Sequence, residues 1–138
     1  MNVILTSLYE DYQAWITAFR LLEQRRPEQN ISHREMPTWP DHCRYVQTQP
    51  HPAWYGIRKH DNLELVGCIY LSHQREIGVG ILKEHQRQGY AEAAILGLMD
   101  RHPGRFLANV APGNLASARL WEKLGFRHIQ NTYAREPS

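Results

Sequence analysis

The stretch EHQRQGYAEAAI, residues 84–95, runs from a strongly polar turn straight into an alanine-rich helix. Gln86, Arg87 and Gln88 precede Gly89, and no Ser, Thr, Asp or Asn stands where a helix is ordinarily capped. The first N–H groups of a helix have no partner within it, and the aligned peptide dipoles make that end positive. Left uncapped by side chains, these groups suit a phosphate or diphosphate. Gly89 removes the side chain that would hold such a ligand off, and Ala91 keeps the first turn thin. Gln86 and Arg87 add donors beside it. The plain alternative is a strand-to-helix turn without a ligand.

The segment that feeds this turn is EIGVGILKE, residues 76–84. Ile77, Val79 and Ile81 alternate with Gly78 and Gly80, which is the period of a strand with one apolar face and one bare one. A bare face lets another group approach the backbone closely; the alternative is a bulge or a helix packed over the glycines. Strand and turn together suit a long ligand, one part lying along the strand and its diphosphate on the turn.

Working outward, WYGIRKH (54–60) and ELVGCIYLSH (64–73) complete a meander of three strands. NVILTSL (2–8) reads as an earlier strand. DYQAWITAFRLLEQRR (11–26) reads as a helix with Asp11 as its N-cap and Pro27 at its end. Residues 27–53 carry no period and are expected to be loop, with one short helix near 41–47. After the Gly89 helix, HPG (102–104) is a stop, RFLANVA (105–111) a strand, and PG a turn. Asn114 caps a helix over NLASARLWEKL (114–124), Gly125 takes the left-handed C-terminal position, and FRHIQNTYA (126–134) reads as a last strand. The order predicts one α+β, or mixed α/β, domain over 1–138, with helices covering a mostly antiparallel sheet.

Composition narrows the class. Hydrophobic residues make up 42% and charged ones 22%, as in a soluble globular chain. No apolar run nears the roughly 20 residues of a membrane span, and the N-terminus lacks the basic region of a signal peptide. A cytoplasmic protein without membrane partners is expected. The net charge of +2 gives no footprint for nucleic acid. Cys43 and Cys68 have no metal spacing, and the eight histidines are scattered, so no metal is expected.

Two motifs carry a family resemblance. Gln86-Arg87-Gln88-Gly89-Tyr90-Ala91 resembles the Q/R-x-x-G-x-G/A signature of the GCN5-related N-acetyltransferase (GNAT) superfamily. NLASARLWEKLGF, residues 114–126, is similar to that superfamily's N-x-x-(S/A)-x-x-L-Y-E-K-x-G-F segment, at a compatible spacing. The resemblance implies a twisted, mostly antiparallel sheet of about six to seven strands flanked by about four helices. It implies acetyl-CoA, or another acyl-CoA, bound between EIGVGILKE and RFLANVA. The pantetheine would pair with the backbone of Val79, Gly80 and Ile81 like an added strand. The pyrophosphate would lie on the turn formed by Gln86, Arg87, Gln88, Gly89, Tyr90 and Ala91. Asn114 would contact the cofactor, cap its helix, or do both.

The implied chemistry is acyl transfer to an amine in a ternary complex. An alkylammonium of pKa near 10 must lose a proton before it attacks. Glu76 is the first general-base candidate and His73 the second. A backbone N–H near Val79 or Gly80 would hold the oxyanion. The chain departs from the family at Trp121, which stands where many members have the tyrosine that protonates the leaving thiolate. An indole N–H donates hydrogen bonds but is no practical acid. Trp121 is then a packing residue under the cofactor; the thiolate would leave unprotonated, or water, Tyr90 or Tyr133 would supply the proton.

Trp39, Tyr45 and Trp54, with Asn109 beside the cleft, are candidates for the acceptor site. A small-molecule primary amine is the expected acceptor. Three alternatives stand beside it: a lysine or N-terminal amine of a protein, an amine carried on nucleic acid, and a catalytically lapsed acyl-CoA-binding module. A homodimer is compatible with the open strand edges.

Overall fold

In the computed structural model, which describes residues 2–25 and 35–137, the meander forms the centre of a five-stranded sheet. In chain order the elements are β1 (Val3–Ser7), α1 (Tyr12–Gln24), α2 (Trp39–Gln47), β2 (Ala53–Lys59), β3 (Leu65–Leu71), β4 (Glu76–Ile81), α3 (Tyr90–Arg101), β5 (Leu107–Ala108) and α4 (Leu115–Lys123). The sheet order is β1-β2-β3-β4-β5. Pairs are antiparallel until the last, β4 with β5, which is parallel because α3 crosses over between them.

Each face of the sheet buries a separate apolar cluster. On one face Ile57, Ile69 and Ile77 meet Ile95 and Leu98 of α3 and Trp121 of α4. On the other, Trp54 and Cys68 meet Ala14 and Ala18 of α1 and Val46 of α2. Burial pushes the Cys68 thiol far above its ordinary value, so it packs as an apolar group. The two clusters clamp β3, whose residues Val66–Ile69 are all buried.

Several expectations change. The sheet has five strands, not six or seven. Residues 126–134 form no strand: beyond Phe126 they are exposed, with Ile129 55% and Tyr133 90% accessible, and their alternation finds no partner. The strand expected over 105–111 contracts to Leu107–Ala108. The short helix in the irregular segment is α2, starting earlier at Trp39 because Thr38 accepts the Asp41 N–H and Pro40 fits the first turn. Asp11 stands at the start of α1, but its carboxylate does not cap it. Instead it takes a bidentate pair of bonds from Arg58 at 2.9 Å and one from Thr6 at 2.7 Å. Among the described residues, no helix is long and apolar enough to cross a membrane, and no group of three or more His, Cys, Asp or Glu is placed to hold a metal.

Candidate active site

Strand β5 leaves β4 almost at once. Only Glu76 opposite Leu107 and Ile77 opposite Ala108 are paired. Backbone direction alternates along a strand, so the free side of β4 can be assigned. The Leu82 N–H donates to Val66 of β3, and the Leu107 N–H reaches back to the Arg75 carbonyl on the β5 side. Even-numbered residues of β4 therefore face β3, and odd-numbered ones face β5. Past Ile77, the N–H and C=O of Val79 and the N–H of Ile81 open into a gap with no strand opposite. Gly80, expected among the binding residues, turns its backbone to β3 instead.

The far end of the gap is the turn at residues 86–91. Gly89 stands at the head of α3 with φ 87°, and no side chain caps the helix. Arg87 is also left-handed, at φ 64°. Among the described residues, the N–H groups of residues 87–92 find no acceptor. Arg87 is exposed and has no carboxylate partner there. Gln86 donates to the Ile81 carbonyl at 3.0 Å and so closes the strand end onto the turn.

Neighbouring elements brace this turn. Glu84 accepts from Arg20 of α1 at 2.6 Å, and the Lys83 N–H donates to Gln24 at 2.9 Å. The Arg20 bond holds the Glu84 carboxyl down at about 2. On the opposite side, Glu64 bridges Lys59 and His85. Donors and cation are thus presented on a turn fixed at both flanks.

A family model described as Acetyltransferase (GNAT) family matches residues 8–126.

The chain belongs to the acetyltransferase (GNAT) family.

Solved structures of low identity share its fold. An N-acetyltransferase from Staphylococcus aureus Mu50 superimposes with a TM-score of 0.71 at 16% identity, covering 94% of this chain and 86% of that one. A GNAT-family acetyltransferase from Bacillus anthracis gives 0.71 at 20%, covering 92% and 81%. The protein yncA from Salmonella typhimurium, whose structure holds its cofactor acetyl-CoA, gives 0.66 at 18%, covering 91% and 79%. No curated protein matches the sequence.

The vertex of the gap in this GNAT-family chain holds Glu76. Its backbone N–H donates to Ser72 Oγ at 3.0 Å, and its carboxylate accepts from the Asn109 amide just beyond β5. The bond joins the two strands where they part and aims the carboxylate. Arg75 fixes the same point from below: it donates to the carbonyls of His102 at 2.6 Å and Arg105 at 3.0 Å, holding the run into β5. His73 lies exposed in the β3–β4 turn, and its charge acts on His51.

The bare glycine face of β4 is filled from within. The ring of Tyr70, the residue opposite Gly78, lies over Gly78, and Leu21 of α1 covers Gly80 at 3.3 Å from a notional Cβ. His51 stacks on Tyr70 with centroids 4.0 Å apart and planes 5° from parallel. Trp54 meets both rings edge-on, and Tyr45 meets Trp54 and His51. Tyr45 and Trp54 therefore join one aromatic wall that reaches the vertex. Trp39 does not: it packs against Tyr12, Phe19 and His42 between α1 and α2.

Asn114 caps α4, accepting the Ser117 N–H at 3.2 Å. Trp121 is 6% exposed and lies edge-on to Phe126 at 4.9 Å, as a core residue. Tyr133 lies on the exposed tail, 90% accessible. Tyr90 turns its ring to His85 and Lys59, on the flank of the turn. Sequence reasoning missed Tyr70 and His51. A tyrosine in an apolar strand reads as core, and only the register places it against a glycine.

Proposed function

We propose that this GNAT-family protein transfers an acetyl group from acetyl-CoA to a primary amine of a small molecule, by direct attack in a ternary complex. The observation that carries the reading is the parting of β5 from β4 after Ile77 and Ala108, which leaves a free strand edge ending on an uncapped helix. The edge suits the amide-bearing pantetheine arm and the helix end suits the diphosphate. Val79 and Ile81 would hold the arm; the N–H groups of residues 87–92, with Arg87, would hold the diphosphate. Acetyl-CoA bound there supplies an activated thioester carbonyl.

The Glu76 carboxylate, aimed by Asn109, takes the proton from the ammonium of the acceptor. The Val79 N–H, open to the gap, steadies the negative charge on the carbonyl oxygen. The aromatic wall of Tyr45, His51, Trp54 and Tyr70 flanks the vertex on one side. An aromatic wall with few polar groups suits a small acceptor. The test is release of free thiol from acetyl-CoA in the presence of a panel of small primary amines. Amine-dependent release supports the reading; release only with peptides would replace the small molecule by a protein amine.

A further inference from the structure

The departure at Trp121 leaves the family's thiolate-protonating position without an acid, and the vertex offers a group that fills the role. Tyr70 stands on β3 opposite Gly78, and the end of its ring lies over Gly78 of β4. The hydroxyl oxygen lies 2.5 Å from where a Cβ would stand on Gly78, so only a glycine there admits the ring. Gly78 is the first residue of β4 past the last pair with β5. The ring is fixed by the stacked His51 and the edge of Trp54. Its hydroxyl has no hydrogen-bond partner among the described residues, and it is not sealed from solvent. A rigid ring that carries its O–H to the vertex can act as a donor there.

We propose that Tyr70 is a catalytic residue of the acetyl transfer, its hydroxyl the proton donor to the departing sulfur. The inference rests on the acetyltransferase reading above. Tyr70 gives its phenolic proton to the sulfur as the carbon–sulfur bond breaks and the electron pair stays on sulfur. The phenolate is restored by the proton that nitrogen sheds on becoming an amide. Glu76 handles the earlier proton, lost from the ammonium before attack, so each proton has one carrier. Burial raises the phenol above its ordinary value; Arg25 opposes this and Glu76 and Tyr45 add to it, so the proton is in place at neutral pH.

Tyr70→Phe keeps the ring, the stack and the packing, and removes only the O–H. Gly78→Ala keeps the O–H and pushes the ring away, because the new methyl takes its place. Each variant is compared with wild type by melting temperature with and without acetyl-CoA, by kcat and KM, and by ultraviolet titration of the thiolate of bound CoA. In wild type the hydroxyl donates to the thiolate, so bound CoA should ionise at a lower pH than CoA free in solution. Both variants should bind acetyl-CoA with KM unchanged, lose at least about 10-fold in kcat, and return the thiol to its ordinary value. A slower Tyr70→Phe with an unchanged thiol titration would overturn the assignment, since the hydroxyl would then serve the acceptor amine. A wild-type kcat in Tyr70→Phe would also overturn it. Failure of wild type to be stabilised by acetyl-CoA would overturn the acetyltransferase reading and this assignment with it; stabilisation of all three proteins with one common thiol titration would overturn the Tyr70 assignment alone.

Discussion

Replacing Gly89 by Asp separates folding from binding at the turn. Gly89 has φ 87°, where an ordinary side chain costs about 1–2 kcal/mol. Asp is among the residues that tolerate this region, and its carboxylate at the bare end of α3 returns about a few tenths of a kcal/mol relative to glycine. The free protein should therefore melt within a few degrees of wild type. Binding should respond very differently. A carboxylate about 5 Å from one phosphate charge, at an effective dielectric of about 20, is repelled by roughly 3 kcal/mol, or about two orders of magnitude in affinity. It also occupies the N–H groups that the diphosphate needs. Acetyl-CoA at about 100 times its Kd should stabilise wild type by roughly 2.7 kcal/mol, or about 10 °C. The same concentration should move the variant by only about 1–2 °C. A variant with an unchanged free melting temperature and a full ligand shift would refute the placing of the diphosphate at this turn.

Glu76→Gln should keep the bond to Asn109 through the side-chain oxygen but lose the base; kcat should fall by about 100-fold near neutral pH and recover partly as pH rises and more amine is free. Wild-type rates would move the base elsewhere. Trp121→Ala should cost about 3–5 kcal/mol in a denaturant titration, because the indole is a core side chain joining α4 to the sheet; a loss below about 1 kcal/mol would contradict that packing. His42, His51 and His102 are all held below the ordinary imidazole value, chiefly by burial. Each is neutral in the folded protein and charges more readily when unfolded. Their stabilisation is thus present above about pH 6.5 and declines as pH falls below it. The melting temperature should drop between pH 7.5 and 5, and less so in His51→Phe; an increase would reverse the sign of the account.

Much of this could be read from the chain, and the exceptions have physical causes. The meander, α1, α3 and α4 are local patterns, and each is where its period places it. The uncapped turn at 86–91 is legible because a missing side chain is visible in a sequence. The parting of β5 is not, since alternation in RFLANVA says nothing about where pairing stops. For the same reason the alternation in 126–134 promised a strand that no neighbour completes. The glycines of β4 were legible as a bare face, but what fills it was not: Tyr70 comes from the adjacent strand and Leu21 from a helix far back in the chain. Asp11 marked the start of α1, yet its carboxylate went to Arg58, a partner 47 residues away. Contacts set by register or by long separation are the ones that a local reading leaves out.

The most direct test of the account is residue-resolved amide hydrogen exchange of the whole protein with and without acetyl-CoA. Slowed exchange is expected at Val79, Ile81 and residues 87–92. The amide of Gly80, which already faces β3, should be unaffected. Protection at residues 87–92 without Val79 and Ile81 would leave a phosphate site and no strand-like arm. Protection confined to other parts of the chain would contradict the cofactor cleft altogether.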